Sequence, residues 1–407
     1  MSMDGYRFIH TLILENFLSY GEEPVRLDLQ PLNVIIGPNA SGKSNLLEVL
    51  NLLRFLPKDL SVPIREGGGV QEWIWKGGEK SQKQPALEAH LSYAQQTIPL
   101  RYRLQFAEVG QRLELVDECL ENLEPSHPDA ADVYFFYRYQ RGNPVLNVRQ
   151  LTDADPKSVK AYARSLKRED LQLGQSVLAQ RQDPDLYPEL TYVARTFATL
   201  KFYREWNLGR YTPARIPQKT DLPDDFLLED ASNLSLVINN LQNQKGSRFL
   251  TEKLQQFYDR AEEIQTRIQG GTVQLFLREQ GLEQPIPATR LSDGTLRYLC
   301  LLTILCHPTP PPLICIEEPE LGLHPDILPV LAELLIEASQ RTQLVITTHS
   351  DVLISALGEY PEAVVVCEQD AWGSQLRRLD KEQLQAWLEN YALGELWRMG
   401  ELGGNRW

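Results

Sequence analysis

Residues 32 to 56, LNVIIGPNASGKSNLLEVLNLLRFL, leave this chain little choice of fold. A short β-branched run enters glycine directly, and leucines at helical spacing follow, so a buried strand, a loop and a helix stand in series. Within that context Gly37 to Ser44 fit G-x-x-x-x-G-K-[ST]. The glycines let backbone N–H groups turn toward phosphate oxygens, Lys43 reaches the β- and γ-phosphates, and the Ser44 hydroxyl ligates Mg²⁺. The expected nucleotide contacts are Gly37, Asn39, Ala40, Ser41, Gly42, Lys43, Ser44 and Asn45. A chance match in a Gly/Ser-rich turn is the bland alternative, and the flanking strand and helix argue against it.

Two later strands end in chemistry. PLICIEEPELGLHP, residues 312 to 325, delivers Glu317 and Glu318 at the end of an apolar strand, where α/β sheets bind their ligands. Glu317 is expected to hold Mg²⁺ through water, and Glu318 to orient or polarise an attacking water. A solvated acidic loop would look the same in isolation. VITTHS, residues 345 to 350, ends another apolar strand in His349. A lone histidine there is usually structural, but one helix separates the two strands, so their ends are expected to be neighbours and His349 to sense the γ-phosphate. Between cradle and acids, LSDGTLRYL (291 to 299) opens a helix whose free N–H groups suit an anion.

The rest of the chain organises around these motifs. A length of 407 residues exceeds one ordinary core, so two lobes or an insertion are expected. Strand patterns run to about residue 150 and form a meander with a hairpin at RGNP. Residues 155 to 268 read as helical stretches with few strands. In EKLQQFYDRAEEIQTRI, Leu254, Phe257, Ala261, Ile264 and Ile268 fall on helical spacing and predict one packed amphipathic helix. The predicted organisation is an α/β nucleotide-binding domain in halves, 1–150 with an antiparallel β lobe and 271–407, split by a mostly helical insertion at 151–270.

Composition narrows the partners. A net charge of −14 argues against a protein that coats nucleic acid with its whole surface, though a local basic groove is allowed. One stretch, Arg195 to Lys219, carries Lys201, Arg204, Arg210 and Arg215 among Phe197, Phe202, Tyr203, Trp206 and Tyr211. That composition suits nucleic acid, but in an acidic chain a packed segment with a solvated cationic face is the preferred reading. The five cysteines show no metal spacing and lie mostly in apolar runs, as free thiols of a reducing compartment do. With no signal-peptide pattern and no apolar run of the ~20 residues a membrane span needs, the chain is expected in the cytoplasm.

The order of these motifs resembles the ABC-type ATPases of the RecF/SMC group. LILENFLSYGE resembles their opening strand, and EEPELGLHP with LSDGTLR resembles the bacterial AAA-type predicted ATPases related to OLD nucleases. FLLEDASNLSLVI and LGELWRMGELGGNRW match that family too. The resemblance implies an ATP-sandwiched homodimer in which Ser292 and Gly294 act in trans on the partner's ATP, and a D-loop after the acids. It implies a Q-loop glutamine at the metal, for which Gln71 is the candidate and Gln82 and Gln84 compete. It further implies DNA contact and a separately encoded nuclease or other effector, in genome maintenance or defence against phage or plasmids. A nucleotide-gated, protein-binding module without DNA contact is the alternative. Two departures stand out. Asp293 replaces the signature glycine, and its carboxylate is expected to turn away and cap the helix. Glu317 replaces the usual aspartate, a change that water-mediated metal contact absorbs. The insertion is too short for the long coiled coil of SMC proteins. About sixty residues follow His349 without a D-x-D pair, short of a nuclease domain of ordinary size.

Overall fold

A computed structural model describes residues 5–78, 83–125, 132–140, 143–150, 160–166 and 171–404. The first part runs β1 (Ile9–Glu15), β2 (Val25–Asp28), β3 (Leu32–Ile36), α1 (Lys43–Phe55), α2 (Ser61–Glu66) and α3 (Val70–Trp73). A meander follows: β4 (Ala86–Leu91), β5 (Leu100–Val109), β6 (Arg112–Asn122), β7 (Phe135–Gln140), β8 (Asn143–Gln150) and β9 (Lys160–Ser165). The middle holds α4 (Val177–Gln180), α5 (Pro188–Ala198), β10 (Lys201–Tyr203), β11 (Gln218–Lys219), α6 (Leu234–Lys245), α7 (Arg248–Gln255), β12 (Ala261–Gln269), β13 (Thr272–Glu279) and β14 (Ile286–Pro287). The remainder is α8 (Asp293–Leu305), β15 (Leu313–Glu317), α9 (Leu328–Ser339), β16 (Gln343–Thr347), α10 (Asp351–Ser355), β17 (Val364–Asp370), β18 (Gly373–Arg378), α11 (Lys381–Leu388) and α12 (Leu393–Arg398).

Three sheets result. The β lobe is an antiparallel sheet in the order β2-β1-β4-β5-β6-β7-β8-β9. Its β7–β8 hairpin pairs Gln140 with Asn143 as expected, and Arg141 and Gly142 of the RGNP turn lie outside the described residues. The central sheet runs β10-β15-β16-β3-β17-β18, parallel except for the last strand. Period-2 alternation divides its side chains between two cores. Val34, Ile36, Ile314, Ile316, Leu344 and Ile346 join α6, α8 and α9 on one face. Ile35, Leu313, Cys315, Val345 and Val365 join α1, α5 and the β lobe on the other. A small sheet of β11, β13, β12 and β14 flanks the first core. The five cysteines are free and buried, as their apolar surroundings suggested. Among the described residues, no helix is long and apolar enough to cross a membrane.

The single helix expected over 252–268 is instead the end of α7 followed by strand β12. The β12–β13 hairpin turns at Gly270-Gly271, and its register shifts between Ala261 and Glu263. A bulge of this kind puts residues three apart on one face. Ala261 and Ile264 are therefore both buried, imitating helical spacing, while Ile268 is 63% exposed. The expected insertion also supplies strands: β10 from within 151–270 is the edge of the central sheet, in parallel register with β15. Three residues are too few for a periodic signal, and β10 owes its existence to that neighbour.

Candidate functional site

Four strand ends meet at one edge of the central sheet: those of β3, β16, β15 and β10. Thr347 stands opposite Ile35 and Glu317, and Tyr203 opposite Ile316. The loop after β3 leads into α1, whose free N-terminal N–H groups open toward it. Its backbone is held from behind. The Ser41 carbonyl accepts from Ser374 Oγ at 2.6 Å and Cys367 Sγ at 3.2 Å, and the Gly42 carbonyl accepts from Tyr20 Oη at 3.2 Å. Ala40 sits at φ +67°, a conformation that costs strain outside glycine and recurs at binding sites. Lys43 is buried and donates to the Gly37 and Pro38 carbonyls at 2.8 and 2.9 Å. Asn39, Ala40 and Ser44 are exposed and Asn45 half-buried, so this edge of the loop faces solvent.

Ser44 donates its hydroxyl to Glu317 Oε1 at 2.7 Å across 273 residues of sequence. Two hard oxygens so close fit a Mg²⁺ site. Among the described residues, no group of three or more His, Cys, Asp or Glu could hold a metal. A cation here therefore needs ligands from phosphate, which is how Mg²⁺ is usually bound beside nucleotides. Glu318 follows at φ +46°, strained for a bulky residue, with its N–H on the Thr347 carbonyl at 2.9 Å. Its Oε1 lies 3.7 Å from His349 Nε2. The neighbouring strand ends do bring the second acid and the histidine together.

Several side chains that sequence reading missed complete the site. Glu320 accepts from the Thr348 hydroxyl and from the His349 N–H, the latter at 3.0 Å, and so fixes the backbone that carries His349. Burial pushes its carboxyl above the usual range. Arg204, one residue beyond β10, donates to Glu317 Oε2 at 3.0 Å and also to Glu48 on α1. Trp206 donates to the Glu317 carbonyl at 3.3 Å and stacks on Tyr203, with the Arg297 guanidinium 5.2 Å from its ring centre. A cation-aromatic run was legible as composition, but its destination was not.

The other expected residues have the following contacts. Gln71, the candidate for the metal, is exposed on α3 and donates its amide to Glu108 on β5. Gln84 lines the same surface hollow, and Gln82 lies outside the described residues. Glu317 is reached by Arg204, because β10 neighbours β15. Ser292 is exposed and caps α8 by accepting from Thr295 N at 3.0 Å, while Gly294 packs on the Gly322 carbonyl in the loop after Glu318. Ser292, not Asp293, is thus the cap; the Asp293 carboxylate is held by Arg215. Arg215 is 5% exposed, so it is no surface cation for nucleic acid. Phe197, Phe202 and Tyr203 are core residues, whereas Tyr211 is 84% exposed beside Arg210.

Comparison with known proteins agrees with this arrangement. The family described as "AAA domain, putative AbiEii toxin, Type IV TA system" matches residues 32–355. Over 45 residues the chain is 42% identical to the DNA replication and repair protein RecF of Rickettsia canadensis (strain McKiel), a match spanning 11% of this chain and 12% of that protein. A solved SMC head bound to the C-winged helix domain of ScpA is similar with a TM-score of 0.56 and 14% identity, covering 92% of this chain and 99% of that one. The SMC head with an extended coiled coil, bound to the C-terminal domain of ScpA from Pyrococcus furiosus, gives 0.56 and 13%, covering 94% and 98%. At such identities the likeness is one of fold. With a family match from the β3 strand to α10, this chain belongs to that AAA-domain family, and its fold is similar to that of SMC heads.

Proposed function

We propose that this chain binds and hydrolyses Mg·ATP, and that two copies close around two ATP molecules. The observation that carries the reading is the 2.7 Å contact of Ser44 with Glu317, beside a buried Lys43 and a Glu318–His349 pair. Lys43 leaves its loop carbonyls for the β- and γ-phosphates, and the N–H groups of residues 39 to 45 wrap them. Ser44 and Glu317 would hold Mg²⁺, which when bound would supply neutralisation of phosphate charge. Glu318 polarises the attacking water, and His349 reads the γ-phosphate from the adjacent strand end. The exposed helix start at Ser292 and Gly294 serves the partner copy's γ-phosphate. The test is Mg²⁺-dependent ATP turnover by the purified protein, abolished by Lys43→Ala. Wild-type protein that binds no ATP with Mg²⁺ present rules the reading out.

The closed dimer is proposed to control a separate partner protein. RecF is named for DNA replication and repair, and the similar SMC heads carry ScpA. Direct DNA contact is weakened by what became of the basic stretch: Arg204 and Arg215 are engaged inside the protein and three of its aromatics are core. The surviving DNA surface is Arg195, Arg210, Tyr211 and Lys219, all exposed. If it binds DNA, neutralising Arg195 and Arg210 flattens the salt dependence by about one unit per lost phosphate contact. Salt-independent or absent DNA binding leaves a nucleotide-gated protein-binding module as the function.

A further inference from the structure

The segment Leu393 to Gly404 touches the proposed site at both of its ends. At one end, Gly394 sits so close to α10 that a side-chain carbon there would stand 2.0 Å from the Asp351 carbonyl oxygen. Its N–H donates to Ser355 Oγ at 3.2 Å, and Arg398 pairs with Asp351 at 3.1 Å. Asp351 opens α10 only two residues after His349. Between the ends, Leu393, Leu396 and Trp397 are buried in the core that also holds Leu353, Ile354, Val364 and Val366.

At the other end the chain is fastened to the strands beside the cradle. Arg377 on β18 donates to the Leu402 carbonyl at 2.6 Å, and Gly404 N–H donates to Glu368 on β17 at 2.7 Å. Gly404 is buried with φ +69°. A side-chain carbon at 404 would lie 2.9 Å from Val366 Cγ1 and 3.3 Å from Gly37 Cα, the first residue of the phosphate-binding loop. Close-packed interiors transmit such a displacement rather than absorb it.

We propose that residues 393–404 form a strap across the nucleotide site, in which Gly404 positions the phosphate-binding loop and Gly394 positions the His349 segment. The proposal rests on the ATPase reading above. It gives the GELWRMGELGG motif a physical account, since its first and last glycines, Gly394 and Gly404, stand where the strap touches the two halves of the site and its Leu and Trp anchor it between them. The strap fixes the distance between the residues that hold the phosphates and the residue that reads the last of them.

The two ends separate experimentally. Gly404→Ala presses on Gly37, so it is expected to weaken binding of a fluorescent ATP analogue with Mg²⁺ by about tenfold, with turnover at saturation retained within about twofold. Gly394→Ala pushes on α10, so it is expected to retain ATP affinity within about twofold and lower turnover at saturation by tenfold or more. Arg398→Ala, which adds no bulk and removes the Asp351 pair, is expected to shift turnover in the same direction by a few-fold, keeping the test decisive if Gly394→Ala does not fold. Folded Gly404→Ala protein with wild-type ATP affinity overturns the strap, as do losses of affinity and turnover that simply track a falling Tm. Wild-type protein that binds no ATP overturns the ATPase reading itself, whatever the variants do.

Discussion

The buried guanidinium of Arg215 holds the carboxylate of Asp293 while also donating to the carbonyls of Leu208, Ala288 and Leu291. On the proposed reading this helix start receives a partner's phosphate, which a bare acid would repel, and the pairing neutralises that acid. Arg215→Ala is therefore expected to leave ATP binding by the single chain intact and to weaken ATP-dependent dimerisation. Adding Asp293→Asn removes the stranded charge and is expected to restore much of the dimer. Light scattering of the single and double variants with Mg·ATP measures this, and a double variant no better than Arg215→Ala alone removes charge as the cause.

Glu318→Gln keeps the shape of its side chain but cannot polarise water as a carboxylate does. It is expected to accumulate an ATP-bound dimer that wild-type protein dissolves by turnover, with two isologous sites. Ser292→Arg fills the exposed helix start and is expected to abolish dimerisation and turnover while single-chain ATP binding persists. A Glu318→Gln protein that stays monomeric at micromolar concentration with ATP bound would falsify the in-trans site.

Arg204 spans Glu317 and Glu48, so a cation already occupies one oxygen of the carboxylate proposed to hold Mg²⁺. Arg204→Ala is expected to lower the Mg²⁺ concentration that half-saturates nucleotide binding by roughly fivefold, since one competitor for Glu317 is gone. The measurement is a Mg²⁺ titration at fixed ATP analogue. An unchanged midpoint reduces Arg204 to a tie between α1 and the sheet.

Glu118 on β6 is buried under the β lobe, where it accepts from Tyr102 Oη at 2.8 Å, Ser176 Oγ and the Val177 N–H at 2.9 Å. Burial pushes its carboxyl up to about 7 from an ordinary 4.5, and these bonds offset only part of that. Between those two values the folded chain keeps a proton that the unfolded chain has lost. This contribution is full below the unfolded value and is lost as pH rises through about 7, by up to about 3 kcal/mol. The Tm difference between wild type and Glu118→Gln, followed from pH 5 to 8, is expected to shift in favour of the variant as pH rises. A pH-independent difference assigns Glu118 no titration in that range.

The sequence by itself determined the cradle, the two acids, the histidine and the helix start at Ser292, because each is a contiguous run whose strand, loop or helix context lies beside it. It also determined the α/β class, through the apolar runs of β3, β15 and β16. Only the tertiary structure decided which distant residues serve that cradle. Arg204 reaches Glu317 because three residues of β10 find an edge next to β15, Arg215 reaches Asp293 from 78 positions away, and Gly404 comes to rest against Gly37. Strand β12 was likewise settled by its partner β13, whose bulged register made a strand imitate a helix. The physical reason is common to all four. A local segment carries a weak or, as in β12, a misleading periodic signal, so its conformation and its neighbours are set by the backbone hydrogen bonds and burial that a remote strand or helix offers.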